Sequence, residues 1–182
     1  MMILKCVLPI ILITVILCGC SGTQGPPAIE YGEFPFRVVY ELNGEMHTIE
    51  DTVISSFRGF DNSSPFPFTK PRSWDTSLKS GGTGRIVIFE EENINSALTP
   101  ERVNEISALV IHFGAGEYYM GDPNGSSLIH GKPHLCYSER YETAPNVTRN
   151  EATPLSHIQA EELFGIIITE WSFSEPIKNI FE

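Results

Sequence analysis

The clearest alternation of apolar and polar residues lies within residues 34–53. In its first arm, residues 36–42, every second side chain is apolar, which is typical of a half-buried β-strand. Asn43 and Gly44 separate the two arms and tolerate the positive φ angles of a two-residue type I′ turn. The pattern therefore predicts a β-hairpin, and residues 52–60 are expected to extend its second arm or to form another strand.

Five more short runs have the composition of strands. Each is rich in β-branched or aromatic residues and is bounded by Gly, Pro or Asn. The runs are residues 85–90, 108–113, 117–120, 134–138 and 166–171.

Two short helices are predicted between these strands. The first begins with Thr99 as N-cap and Pro100 at the first helical position. The second begins at Ser156, where Gln159 completes a capping box, and ends at Gly165. The sequence thus predicts a mainly β fold, an antiparallel sandwich or partly open barrel with two short helices. Because both helices lead directly into a strand, an α+β arrangement is the alternative.

An apolar run near the start of the chain indicates export. Residues 7–17 are uninterrupted apolar residues, fewer than the roughly 20 needed to cross a bilayer and typical of a signal peptide. The run ends in Leu17, Cys18, Gly19 and Cys20, which resembles the lipobox of bacterial lipoproteins. The resemblance covers only the leader. It implies cleavage before Cys20 and lipidation of the Cys20 thiol, so that acyl chains hold the protein on the membrane.

This resemblance implies that the chain is divided into three segments. Residues 1–19 become a signal peptide, residues 20–33 a flexible Pro/Gly-rich tether, and residues 34–182 a single β-rich domain on the extracytoplasmic face of the cell membrane. The domain itself resembles small uncharacterised bacterial surface lipoproteins, a resemblance that implies no activity.

The net charge limits the kinds of partner the protein can bind, and the number of cysteines limits the disulfides it can form. The chain has 12 Lys and Arg against 23 Asp and Glu, a net charge of −11, which repels phosphate backbones and excludes nucleic acid as a partner. Of its four cysteines, only Cys136 would remain after cleavage and lipidation. No intrachain disulfide is then expected, and stability must come from packing.

Three long segments lack a regular pattern: residues 61–84, 121–133 and 139–155. Such segments often carry function, and the first combines aromatic and cationic side chains. These candidates for a binding loop are Phe66, Phe68, Lys70, Arg72 and Trp74. They predict a platform for an unknown envelope protein or ligand, and Trp74→Ala is then expected to weaken partner capture while leaving the fold intact. The alternative is that the rings fold back onto the sheet.

Chemical motifs are sparse. His130, His134 and Cys136 are weak candidates for a metal site, with Met120 as a fourth group, and a buried thiol beside solvent-facing imidazoles is the alternative. None of GxSxG, HExxH or CxxC occurs, so catalytic residues stay unassigned and no cofactor is predicted. The sequence favours a non-enzymatic binding or scaffolding module. An envelope hydrolase without a linear motif and a metal-binding lipoprotein are the alternatives.

Overall fold

The computed structural model describes residues 25–61, 70–82, 84–123 and 131–181. The strands are β1 (Tyr31–Leu42), β2 (Glu45–Phe60), β3 (Arg72–Leu78), β4 (Ile86–Asn95), β5 (Val103–His112), β6 (His134–Ala144), β7 (Val147–Leu155) and β8 (Ile166–Phe173). Two short helices accompany them, α1 (Gly116–Tyr119) and α2 (His157–Phe164). Among these described residues, no helix combines the length and apolar character needed to cross a membrane.

The strands form two four-stranded antiparallel sheets with the orders β3-β2-β1-β8 and β4-β5-β6-β7. One core cluster combines side chains from both, including Phe36 and Val38 of β1 with Leu109 of β5 and Tyr137 of β6. Two sheets that bury their inner faces against one core form a β-sandwich. The predicted mainly β class is therefore confirmed, and the strands lie in two sheets rather than in one closed barrel.

The predicted hairpin is confirmed, because its turn chemistry is local. Asn43 and Gly44 have φ angles of 54° and 81°, both positive as a type I′ turn requires. Strand β2 continues to Phe60, so residues 52–60 extend the second arm.

The second predicted helix is also confirmed. The Ser156 hydroxyl accepts a hydrogen bond from the backbone N–H of Gln159, whose side chain accepts one from the N–H of Ser156. Gly165 ends the helix with a φ of 66°, and β8 begins at the next residue. This helix carries the chain from the edge of the second sheet to the edge of the first.

The first predicted helix is wrong. The connection from β4 to β5 is a compact turn, in which the Ser96 hydroxyl accepts the N–H groups of Leu98 and Thr99. The N–H of Arg102 donates to the carbonyl of Thr99, and β5 begins one residue later. The cap-like residues therefore close a tight turn and start no helix.

The run at residues 117–120 was predicted as a strand, but α1 lies there. Gly114, with a φ of 95°, turns the chain out of β5, and Tyr119 and Met120 then pack into the core from a helical turn. A short apolar run does not by itself distinguish a strand from a buried helical turn.

Two strands arise where the sequence shows no regular pattern. Strand β3 lies in the predicted irregular segment 61–84, and β7 lies in segment 139–155. Both are edge strands. Polar residues and Pro154 are compatible with an edge, where one side of the backbone needs no partner strand.

The N-terminal boundary of the domain lies earlier than predicted. Strand β1 begins at Tyr31, and the preceding residues contact the C-terminal segment. The N–H of Ala28 donates to the carbonyl of Ile180 at 2.8 Å, and the Asn179 side chain bonds both the N–H and the carbonyl of Ile29. Residues 25–33, predicted as part of a flexible tether, therefore belong to the folded domain, and residues 20–24, like the leader, lie outside the described residues.

Candidate functional site

Of the five residues predicted to form a binding loop, the structure describes Lys70, Arg72 and Trp74. Phe66 and Phe68 lie outside the described residues, and Lys70 is exposed. Arg72 and Trp74 instead belong to strand β3, with exposed fractions of only 1% and 8%. These two residues are therefore corrected from a binding loop to the interior of the sandwich, as the alternative of folded-back rings predicted for Trp74.

Arg72 and Trp74 share one buried partner, Asp122. The Arg72 guanidinium donates to both carboxylate oxygens of Asp122 at 2.9 Å, and the indole N–H of Trp74 donates to one of them at 3.0 Å. The side chains of the ion pair are 1% and 0% exposed. In a bidentate ion pair of this kind the hydrogen bonds are strong because both partners are charged. Removing either partner would leave the other charge buried without its counterion.

The same cluster joins the two ends of the domain. Arg72 donates to the carbonyl of Gly25 at 3.1 Å, and its guanidinium carbon lies 4.1 Å from the centre of the Phe181 ring. Gly25 and Phe181 thereby meet at the start of β3. The geometry assigns Arg72, Trp74 and Asp122 a structural role at this end of the sandwich.

The described metal candidates do not meet at one point. His134 and Cys136 lie on one face of β6, and the ring of His134 stacks on that of His112 with centroids 5.1 Å apart. Met120 belongs to the main core, whereas Cys136 packs with small residues on the opposite face of its sheet, so Met120 is excluded as a shared ligand. Burial raises the pKa of the Cys136 thiol. His130 lies outside the described residues, and within them no group of three His, Cys, Asp or Glu is arranged to hold a metal ion.

A second buried carboxylate belongs to Glu139 on the inner face of β6. Asn104 donates to one of its oxygens at 2.7 Å, and Arg102 donates to the other. Burial raises the pKa of Glu139, but hydrogen bonds from Ser96, Arg102 and Asn104 outweigh burial and hold that pKa below its ordinary value. Glu139 therefore stays ionised at neutral pH and links the β4–β5 turn to β6.

A cleft opens next to this network, at the end of the sandwich that carries the β1–β2 turn. Its volume is about 400 Å³. Its apolar walls come from β1, β4, the β4–β5 turn and the end of α2: Leu42, Phe89, Ile94, Ala97, Leu163 and Phe164. The Phe164 ring packs 5.3 Å from Phe89 and 5.0 Å from Tyr137, which also lines the cleft.

Polar and apolar groups contribute comparable shares of the surface that faces this cleft. The Tyr137 hydroxyl accepts a hydrogen bond from the N–H of Ala97 at 3.2 Å, which fixes the ring in place. Asn43 lies at the mouth, in the hairpin turn. Among the described residues that line the cleft, Glu91 is the one charged side chain. The arrangement suits a small ligand that has both an apolar part and a polar part.

The cleft was not predicted, because its lining comes from segments far apart in sequence. The nearest sequence clue is the pair Leu163 and Phe164, large apolar residues directly before the helix-ending Gly165. Their position at the end of α2 brings them over the open end of the sandwich, where Leu163 remains 39% exposed.

A second concavity lies on the outer face of the first sheet, between Pro35, Asp51 and Ser174. Arg37, which lines it, is already paired with Glu50 at 3.2 Å and Glu170 at 3.5 Å. This groove is shallow and its charges are matched. The cleft between the sheets is therefore the better candidate for ligand binding.

Comparison of the chain with protein-family models finds no match, and no significant match is found among curated proteins or among solved structures. The fold and the cleft alone therefore describe the protein: an antiparallel two-sheet β-sandwich with a cleft at one end.

Proposed function

We propose that this protein is a lipid-anchored extracytoplasmic lipoprotein that acts as a non-enzymatic binding module, with the cleft at the β1–β2 end as its binding site. The observation that carries the proposal is the cleft itself. Its volume of about 400 Å³ and its combination of aromatic side chains with polar groups are properties of small-molecule sites.

The lining favours a ligand with an apolar or aromatic body. The rings of Phe89, Tyr137 and Phe164 pack against one another, so this wall of the cleft is already formed without a ligand. A ring inserted beside Leu163 removes apolar surface from water on both partners, which is the main favourable contribution to such binding.

The position of the chain ends supports a site that faces away from the membrane. The N-terminal segment meets the domain where Gly25 contacts Arg72, at the end where β1 begins. The cleft lies beyond Leu42, where β1 ends. At about 3.3 Å per residue, β1 spans about 35 Å, so an anchor on Cys20 would hold the cleft on the far side of the domain.

The anchor is tested by metabolic labelling. Wild-type protein made in a bacterial host should incorporate labelled palmitate, and Cys20→Ser should not, because the lipid is attached through the Cys20 sulfur. A wild-type product without label, or with the leader still present in its intact mass, contradicts the anchor.

The binding site is tested by titrating the full chain, held in lipid nanodiscs, with 2-phenylethanol, a small aromatic alcohol. Ligand-observed NMR should show saturable, millimolar binding above that of empty nanodiscs, because the ring fits the apolar wall beside Phe164. Binding no greater than that of empty nanodiscs contradicts a ligand site in the cleft.

A further inference from the structure

The charge of the cleft points to the chemical class of its ligand, an inference that rests on the proposed function. Phe89 and Glu91 stand two residues apart on β4 and both line the cleft. Because neighbouring strand residues point to opposite faces, Glu90 and Glu92 point the other way, and neither lines the cleft. Of the three carboxylates at residues 90–92, that of Glu91 is the one that lies at the cleft, beside the Phe89 ring.

The surroundings of Glu91 favour a positive charge on the ligand. None of the described residues that line the cleft carries a positive charge. Glu91 is exposed, so a cation beside it would gain the modest attraction of a surface ion pair. The faces of the Phe89 and Phe164 rings also attract cations. The protein's net charge of −11 also attracts cations and repels anions over a longer range.

We propose that the cleft binds small amines in which one ammonium group is attached to an apolar or aromatic body. The body packs against the Phe89, Tyr137 and Phe164 rings, and the ammonium group pairs with Glu91. The volume of about 400 Å³ restricts the ligand to a single small molecule of this kind.

Three probes with the same ring and different ends test the proposal: 2-phenylethylamine, 2-phenylethanol and 3-phenylpropionate. They are titrated against the full chain in nanodiscs, with empty nanodiscs as reference. The amine should bind about five-fold more tightly than the alcohol, as expected for one ion pair of modest strength, and the carboxylate should bind most weakly.

Glu91→Gln should weaken binding of the amine about five-fold and leave binding of the alcohol unchanged. Glu92→Gln is the matched control, because it removes the same charge from the neighbouring residue, which does not line the cleft. Glu92→Gln should keep the preference for the amine.

The outcomes separate this inference from the proposed function. Saturable binding of all three probes with equal affinity overturns the amine preference and leaves the cleft as a binding site. An equal loss of amine affinity in Glu91→Gln and Glu92→Gln overturns the specific pairing, because it indicates general attraction to an acidic surface. Failure of all three probes to bind overturns the inference together with the proposed function.

Discussion

Asp122→Ala is expected to lower the free energy of unfolding by about 3–5 kcal/mol, the cost typical of removing one member of a buried ion pair. The Arg72 guanidinium would stay charged and 1% exposed with two hydrogen bonds lost, and the Trp74 indole N–H would lose its acceptor. The measurement is urea unfolding followed by circular dichroism.

The matched control is Asp75→Ala. Asp75 pairs with Arg58 at 3.7 Å, but both side chains are about two-thirds exposed, so a loss of less than about 1 kcal/mol is expected. The double variant Arg72→Met, Asp122→Leu should be more stable than Asp122→Ala, because it buries no unmatched charge. Equal stability losses in Asp122→Ala and Asp75→Ala would show that the buried pair has no special role.

Trp74→Ala is expected to lower the free energy of unfolding by about 3–5 kcal/mol, as large aromatic truncations in a core do. The ring is 8% exposed and packs edge-on against Phe57 with centroids 5.4 Å apart. The substitution also removes the donor to Asp122. This expectation reverses the one drawn from sequence alone, in which Trp74 lies on an exposed loop and its loss spares the fold.

Lys70→Ala is the control from the same predicted loop. Lys70 is exposed, so a change within about 0.5 kcal/mol is expected. Thermal or urea unfolding of both variants decides between the two roles of Trp74. A Trp74→Ala variant as stable as Lys70→Ala, with ligand or partner binding lost, would restore the loop hypothesis.

The parts of the fold that follow from sequence are those with local chemistry. The Asn43-Gly44 turn and the Ser156 capping box each depend on a few adjacent residues, and both are confirmed. Strand β7 could not be predicted in this way, because most of its side chains are exposed and it shows no apolar alternation. Its conformation is fixed by pairing with β6, a contact that sequence patterns do not reveal.

The candidate site could not be predicted from the sequence either, because its residues are brought together only by the fold. Asp122 lies in a stretch typical of a turn, and only the placement of α1 brings it to Arg72, 50 residues earlier. The cleft likewise needs Leu42, Phe89 and Phe164 to meet at one end of the sandwich. The three glutamates at residues 90–92 are visible in the sequence, but the sequence alone does not indicate which of their carboxylates lies at the cleft.

The central claim is that the cleft at the β1–β2 end is where this protein binds its ligand. The most direct measurement compares 2-phenylethanol binding by Ala97→Phe and Ala152→Phe, since Ala97 lines the cleft and Ala152 is exposed on β7. Ala97→Phe should fill the cleft and reduce binding at least about ten-fold, a loss on the scale of burying one aromatic ring, while Ala152→Phe should bind like the wild type. Wild-type affinity in a folded Ala97→Phe variant would contradict the claim.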